Sequence, residues 1–166
     1  MSESCRLRAL DRSRRYLGVH EEPDGSNRGP DIDRWCKWAA GVVGYPWCSA
    51  FVCGMVREAC GLVVPTPQRA SVESLTQWAQ RTGELLPERA RPRAGDLICY
   101  DWNSDEWYDH VGFVERVLGT SWSGGHFHGL VRTIEGNSGN AVRRHVRRCA
   151  SVRFIRLNAD KLTPVE

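Results

Sequence analysis

The chain has 166 residues, of which 41% are hydrophobic and 26% charged, and its formal net charge is +3. This size and apolar content suit one packed core, so we expect residues 1–166 to form a single domain. The small net charge argues against a dedicated nucleic-acid-binding protein, and no apolar run approaches the roughly 20 residues that span a bilayer. We therefore expect no nucleic-acid partner and no insertion into a membrane.

Helices are predicted along the first half of the chain. Apolar residues recur there at helical spacing, and glycines stand where the helices would end. The predicted helices cover residues 3–18, 31–40, 46–60 and 71–82. Pro46 suits a first helical turn, which places Cys48 in the opening turn of the third helix.

Short strands are predicted along the second half. Their apolar and β-branched residues lie between turn-forming segments. The predicted strands cover residues 97–101, 110–118, 130–136 and 151–157. Helices followed by a run of strands predict an α+β fold in which N-terminal helices pack on a C-terminal antiparallel sheet. We find no internal repeat and no linker to a second domain.

The cysteine pattern gives no sign of a disulfide framework or a zinc knuckle. The chain has seven cysteines, no Cys-x-x-Cys pair and no apolar segment of the signal-peptide kind near its N-terminus. We therefore expect reduced thiols and synthesis in a cytoplasm. Most of the thiols, including those of Cys36, Cys53, Cys60 and Cys99, are expected to pack in the core.

Cys48 is a candidate nucleophile because of its position in the stretch "GYPWCSAFV". A helix N-terminus directs partial positive charge and free N–H groups at a sulfur there and so favours the thiolate. On position alone, a buried structural cysteine remains an equal alternative. The residues that would assist a nucleophile favour the catalytic interpretation.

A cysteine nucleophile needs an imidazole to move its proton and a third polar group to orient the ring. His110 opens the predicted strand "HVGFVE", so its ring can project from the end of that strand. Glu135 and Asn137 lie two residues apart in "TIEGNSG", which in an extended segment places both on one face. Either of them could hydrogen-bond the imidazole.

The stretches "YPWCSAF", "RPRAGDLICYD", "DHVGFVE" and "TIEGNSG", in this order, resemble the CHAP family of cysteine- and histidine-dependent amidohydrolases/peptidases. The resemblance runs from about Val19 to the last strand. It implies a papain-like fold and a peptidoglycan-cleaving hydrolase. It also implies that Cys48 is the nucleophile and His110 the base, with Glu135 and Asn137 at the acidic and amide positions.

Two further residues are assigned to substrate binding. Trp47, which precedes the nucleophile, is expected to line the cleft, and Asn27 is expected to help bind the oxyanion. The chemistry implied by the resemblance requires neither a metal ion nor an organic cofactor.

Three other features are interpreted without a special function. Asp101, Asn103 and Asp105 have the first spacings of a calcium loop, but the later ligands are missing, so we predict a solvated acidic loop. His126 and His128 lack further ligands nearby and are predicted to lie in a flexible loop. The basic segment 143–156 is predicted to be the exposed face of a terminal strand.

The expected function is that of an endolysin or virion-associated lysin. Such a protein is made in the host cytoplasm, acts on the bacterial cell wall after release and is expected here to be a monomer. The alternatives are a non-catalytic wall-binding or structural phage protein and an amidase acting on a small non-wall amide. Whether the enzyme is an N-acetylmuramoyl-L-alanine amidase or a peptidoglycan endopeptidase is left open.

Overall fold

The computed structural model describes residues 2–88, 90–119, 122–123 and 126–165. Its helices are α1 (Ser2–Arg14), α2 (Pro30–Ala40), α3 (Cys48–Cys60), α4 (Val72–Thr82) and a short 3₁₀ helix (Ala159–Lys161). All four predicted helices are confirmed, although α1 is shorter than expected. It ends at Arg14 because the chain turns there, and the Gly18 N–H donates instead to the carbonyl of Val142. No helix in these described ranges is long and apolar enough to cross a membrane.

The helix ends follow the sequence signals. The glycines that follow α2, α3 and α4 are Gly41, Gly61 and Gly83, with φ angles of 74°, 64° and 80°. The N–H of each glycine donates back to a carbonyl of the last helical turn, and the left-handed conformation then turns the chain away from the helix. At the other end of α4, the Ser71 side chain accepts a hydrogen bond from the backbone N–H of Ser74, which is a standard N-cap.

The central sheet has five antiparallel strands in the order β7-β6-β3-β2-β8. These strands are β2 (Leu97–Tyr100), β3 (His110–Gly119), β6 (Leu130–Glu135), β7 (Arg143–Arg148) and β8 (Val152–Ile155). Two-residue strands form the small pairs β1 (Leu62–Val63) with β9 (Thr163–Pro164), and β4 (Trp122–Ser123) with β5 (His126–Phe127). The predicted α+β, papain-like arrangement of N-terminal helices and a C-terminal antiparallel sheet is confirmed.

The basic segment 143–156 forms two strands, where one terminal strand was predicted. Its halves, β7 and β8, lie at opposite edges of the sheet. Strand β7 consists mainly of arginine and exposes side chains on both faces, so it lacks the apolar alternation that marks a half-buried strand. The interpretation of this segment as purely exposed surface is wrong for Arg147, whose role is described below.

The core lies on both faces of the sheet. On one face, side chains of β3 and β6 pack under α3, and the rings of Phe51 and Phe113 meet edge to face with centroids 6.4 Å apart. A smaller cluster that includes Val114, Val131 and Phe154 covers part of the other face. The helix-covered face fixes α3 on the sheet, and this fixes Cys48 relative to β3.

One expectation about the cysteines is wrong. Cys5 and Cys60 form a disulfide, with their Cα atoms 5.7 Å apart. The bond joins the start of α1 to the end of α3, two helices that pack against each other. Because 55 residues separate the partners, no local motif could indicate the pair. Cys36, Cys53 and Cys99 are free and buried, as predicted.

Candidate active site

Cys48 is the first residue of α3, as predicted. Trp47 is the residue before the helix, and its carbonyl accepts the first intrahelical hydrogen bond, from the N–H of Phe51 at 2.8 Å. The N–H groups of this first turn have no partners within the helix, and they give the end of α3 that carries Cys48 a partial positive charge. The Cys48 side chain is only 5% exposed, so a reacting group must approach it through a narrow opening.

His110 is the first residue of β3, and its imidazole lies near enough to the Cys48 side chain for that thiol to influence the pKa of the ring. The other contact of the ring is at Nε2, which lies 2.9 Å from Glu135 Oε2. A carboxylate can only accept, so Nε2 carries the proton and Nδ1 is the nitrogen left for the thiol. The three side chains therefore form a connected series of thiol, imidazole and carboxylate.

Glu135 is the last residue of β6 and is fully buried. In the sheet register it lies opposite Gly112, and this glycine leaves the space that the carboxylate side chain occupies. A Cβ atom on Gly112 would come within 2.5 Å of Glu135 Cγ. The glycine in "DHVGFVE" is thus required by the close approach of the catalytic carboxylate.

Five hydrogen bonds hold the Glu135 carboxylate. Oε1 accepts from the Tyr100 hydroxyl at 2.9 Å, from Thr133 Oγ1 at 2.6 Å and from Arg147 Nε at 3.0 Å. Oε2 accepts from His110 and from Arg147 Nη2, the latter at 2.7 Å. The carboxylate has no freedom to turn away from the imidazole.

These contacts oppose the effect of burial on both partners. Burial disfavours the imidazolium, but hydrogen bonds to Cys48 and Glu135 outweigh it and raise the pKa of His110 to about 9. Burial likewise disfavours the charged Glu135, yet hydrogen bonds from His110, Arg147 and Thr133 hold the pKa of this carboxyl well below its usual range. At neutral pH the ring is therefore an imidazolium and Glu135 a carboxylate.

The remaining free thiols differ from Cys48 in their surroundings. Burial is the main cause that raises the pKa of Cys36 and of Cys99, and it raises the pKa of both Cys53 and Cys149 to about 12. A protonated thiol is a poor nucleophile. Among the free cysteines, Cys48 is the one that lies beside the His110 imidazole and influences its pKa.

Asn137 does not share a face with Glu135, so that expectation is wrong. The strand ends at Glu135 and the chain turns, with Asn137 at a φ angle of 55°. In the amide orientation that satisfies its neighbours, the nitrogen donates to Glu21 Oε1 and the oxygen accepts from the Trp47 N–H, both at 3.2 Å. Asn137 thus contacts the residue before the nucleophile, while Glu135 alone reaches the imidazole.

Glu21 links the other predicted site residues and was missed by the sequence analysis. This carboxylate is 2% exposed and accepts hydrogen bonds from Trp47 Nε1 at 2.9 Å and from the Asn27 backbone N–H at 2.8 Å. The Trp47 side chain is fully buried by this contact and by its packing, so the expectation that it lines the cleft is wrong. Asn27 is partly exposed beside it, and its oxyanion role stays a prediction.

Trp102 was also missed. Its indole stacks on the His110 ring, with centroids 4.9 Å apart and an interplanar angle of 20°, and it is 60% exposed. An acidic side chain of the loop that carries Trp102 holds the loop backbone in place, because the Asp101 carboxylate accepts hydrogen bonds from the backbone N–H groups of Asp105 and Glu106. The Asp101 carboxylate thus binds the backbone of its own acidic loop.

No group of three or more residues able to hold a metal ion occurs within the ranges that the structure describes. The prediction that His126 and His128 lie in a flexible loop is wrong for His126, which begins the short strand β5 and pairs with Ser123. A cleft of about 390 Å³ adjoins the loop of Trp102 and is lined in part by Asp101, Tyr108 and Arg153. Cys48, His110 and Glu135 are not among the residues that line this cleft.

Comparison with known proteins adds one finding. A family model described as the CHAP domain matches residues 40–137, which is more than half of the chain. The matched range contains Cys48, His110 and Glu135, while Asn27 and Arg147 lie outside it. No curated protein and no solved structure matches the chain.

Proposed function

The chain belongs to the CHAP domain family, which supports an amidase or peptidase activity with peptidoglycan as the substrate, and on this premise we propose that it cleaves an amide bond of the bacterial cell wall through Cys48. The observation that carries the proposal is the placement of Cys48 beside His110, whose ring is hydrogen-bonded to the buried Glu135 carboxylate. The same arrangement occurs wherever a thiol is activated by an oriented imidazole.

The reaction starts from a thiolate beside the protonated His110. The sulfur attacks the scissile carbonyl carbon, and the N–H groups of the first turn of α3 stabilise the oxyanion, with the Asn27 amide as a further donor. His110 then gives its proton to the departing amine, the carbon–nitrogen bond breaks and a thioester remains. His110 next takes a proton from water, which hydrolyses the thioester to a carboxylic acid and restores the thiol.

An amide fits this site better than a glycosidic bond. Glycoside hydrolysis requires two carboxyl groups facing the sugar, one of which gives up a proton. Glu135 is buried, held as a carboxylate and engaged by five donors, so it does not meet this requirement. Because Cys48 and His110 are only 5% and 4% exposed, the substrate segment at the sulfur must be slender, as an extended stem or bridge peptide is.

The biological role that we propose is that of a monomeric lysin of the endolysin or virion-associated kind. It is made in the host cytoplasm and acts after release. The Cys5–Cys60 disulfide supports action outside a reducing compartment, where such bonds persist.

Digestion of purified peptidoglycan tests the function. We expect free amino groups to appear without added metal, and no new reducing sugar ends. C48A is the inactive reference, and C53A, which removes another buried thiol of the same helix, is the matched control that retains activity. New reducing ends, or equal release by C48A, would exclude the proposed chemistry. Mass analysis of the soluble products then identifies the bond.

A further inference from the structure

Arg147 lies on the edge strand β7, outside the range matched by the family model, and reaches the catalytic carboxylate. In the sheet register it lies opposite Val131, so its side chain runs along the sheet to Glu135. Nε and Nη2 donate to the two carboxylate oxygens at 3.0 and 2.7 Å, a bidentate pair. A bidentate pair fixes the orientation of the carboxylate and also stabilises its negative charge.

Aromatic rings hold the guanidinium in this position. Its Cζ atom lies 5.6 Å from the centre of the Tyr100 ring and 6.0 Å from that of Trp102. The Tyr100 hydroxyl binds the same carboxylate oxygen as Arg147 Nε, and Trp102 stacks on His110. Arg147 is therefore part of one packed group with the imidazole, although it does not touch it.

We propose that Arg147 is a positioning residue for the hydrolysis proposed above: it aims Glu135 at His110 and offsets part of the charge of that carboxylate. Glu135 must orient the imidazole without stabilising the imidazolium so strongly that the proton cannot leave for the amine. A second cation on the same carboxylate weakens its hold on the first, because the two cations share its charge and repel each other.

The charged and titratable groups around His110 come from four elements. They are Cys48 of α3, Tyr100 of β2, Glu135 of β6, and Arg143, His145 and Arg147 of β7. Of these three β7 side chains, Arg147 is the one that hydrogen-bonds to the carboxylate that binds the imidazole. Its removal should therefore act on His110 through Glu135.

The chain provides a matched control on the same strand. Arg144 makes the same kind of bidentate pair with Glu115, at 2.8 and 3.0 Å, on the opposite face of β7. Glu115 is also nearly buried and accepts hydrogen bonds from Arg14 and Arg132 as well. R144M thus removes an equivalent pair that has no contact with the site.

The test is titration of His110 by NMR of imidazole-labelled protein, with the signal assigned from H110N. In R147M we expect the midpoint of the His110 titration to move upward by about one pH unit, and peptidoglycan hydrolysis to fall roughly tenfold. In R144M the midpoint should stay at the wild-type value. R147K keeps the positive charge but loses the bidentate pair of N–H donors. The midpoint of the His110 titration should therefore stay near the wild-type value, while hydrolysis falls several-fold.

An unchanged or lower midpoint in R147M, or an equal upward shift in R144M, would overturn the proposal. So would R147K with a shift as large as that of R147M. If R147M does not fold, R147Q replaces it, because glutamine retains hydrogen-bond donors without the charge. We expect the same upward shift of the His110 midpoint in R147Q, and an unchanged or lower midpoint would again overturn the proposal. The titration uses no substrate, so failure to digest peptidoglycan would count against the proposed function, whereas an unshifted titration would count against the role of Arg147.

Discussion

The substitution Gly112→Ala tests whether the sheet register is what places the carboxylate at the imidazole. A Cβ at residue 112 would lie 2.5 Å from Glu135 Cγ and 3.0 Å from the carbonyl oxygen of Ile134. The second atom belongs to the backbone of the central sheet and cannot move aside without disturbing the ladder. The clash must therefore displace the Glu135 side chain, β6, or both.

The expected cost follows from this geometry. Overpacking a tight interior site typically costs about 1–3 kcal/mol, and a fixed backbone neighbour places G112A in the upper part of that range, at about 2–3 kcal/mol. For a chain of this length, such a loss lowers the melting temperature by roughly 4–12 °C. Displacement of Glu135 should also loosen its hydrogen bond to His110, so hydrolysis should fall by about one order of magnitude or more.

Gly119→Ala is the matched control, because Gly119 ends the same strand and a Cβ there would meet nothing within 4 Å. Thermal unfolding and peptidoglycan digestion should be measured for both variants under one set of conditions. We expect G119A to behave as the wild type. A G112A protein with wild-type stability and activity would refute the close approach, and with it the placement of Glu135.

Three further predictions concern the catalytic series. C48A should abolish hydrolysis and remain folded. In the wild type, iodoacetamide at pH 6–7 should modify Cys48 well before Cys53, because burial raises the pKa of Cys53 to about 12. Rapid labelling of Cys53 would contradict the assignment of Cys48 as the nucleophile. E135Q should lower kcat more than N137A, because Glu135 contacts the imidazole and Asn137 does not; the reverse order would make Asn137 the orienting group. The pKa of His110 is raised to about 9, so the imidazolium contributes to the free energy of unfolding in full below about pH 6.5, and this contribution is lost as the pH rises through about 9. We expect kcat/KM to fall over the same alkaline range. An activity that keeps rising past pH 10 would exclude the ion pair of His110 with Glu135.

Local signals were sufficient to predict the positions of the two reacting groups. Pro46 before a helical pattern indicated that Cys48 lies in the opening turn of α3, and a histidine at the first residue of an alternating segment indicated the start of β3. Gly112 lies inside the same strand, where a glycine marks close approach of another group, but no inference was drawn from it before the structure was known. These features depend on neighbours within a few residues, and a sequence displays such neighbours directly.

The residues that fix these groups could not be predicted in the same way. Arg147 meets Glu135 because of the register between two strands, and Glu21 meets Trp47 across 26 residues of chain. An arginine-rich edge strand also shows no apolar period, so its surface-like composition gave no sign that the Arg147 guanidinium reaches Glu135. Asn137 was misplaced for a related reason, because where a strand ends is among the least certain features of a sequence pattern.

The pairing of charges explains how the protein accommodates a buried ionised site next to an edge strand. An unpaired buried charge costs several kcal/mol, but Arg147, Glu135 and His110 alternate in sign and each is hydrogen-bonded to the next. Strand β7 has few apolar side chains to bury, and Val146 is 60% exposed. Apart from its backbone ladder with β6, β7 is held by Arg147 with Glu135 on one face and by Arg144 with Glu115 on the other. The contact between Arg147 and Glu135 therefore also attaches the edge of the sheet, so variants that release Glu135 should lose protection of the β7 amides along with any activity.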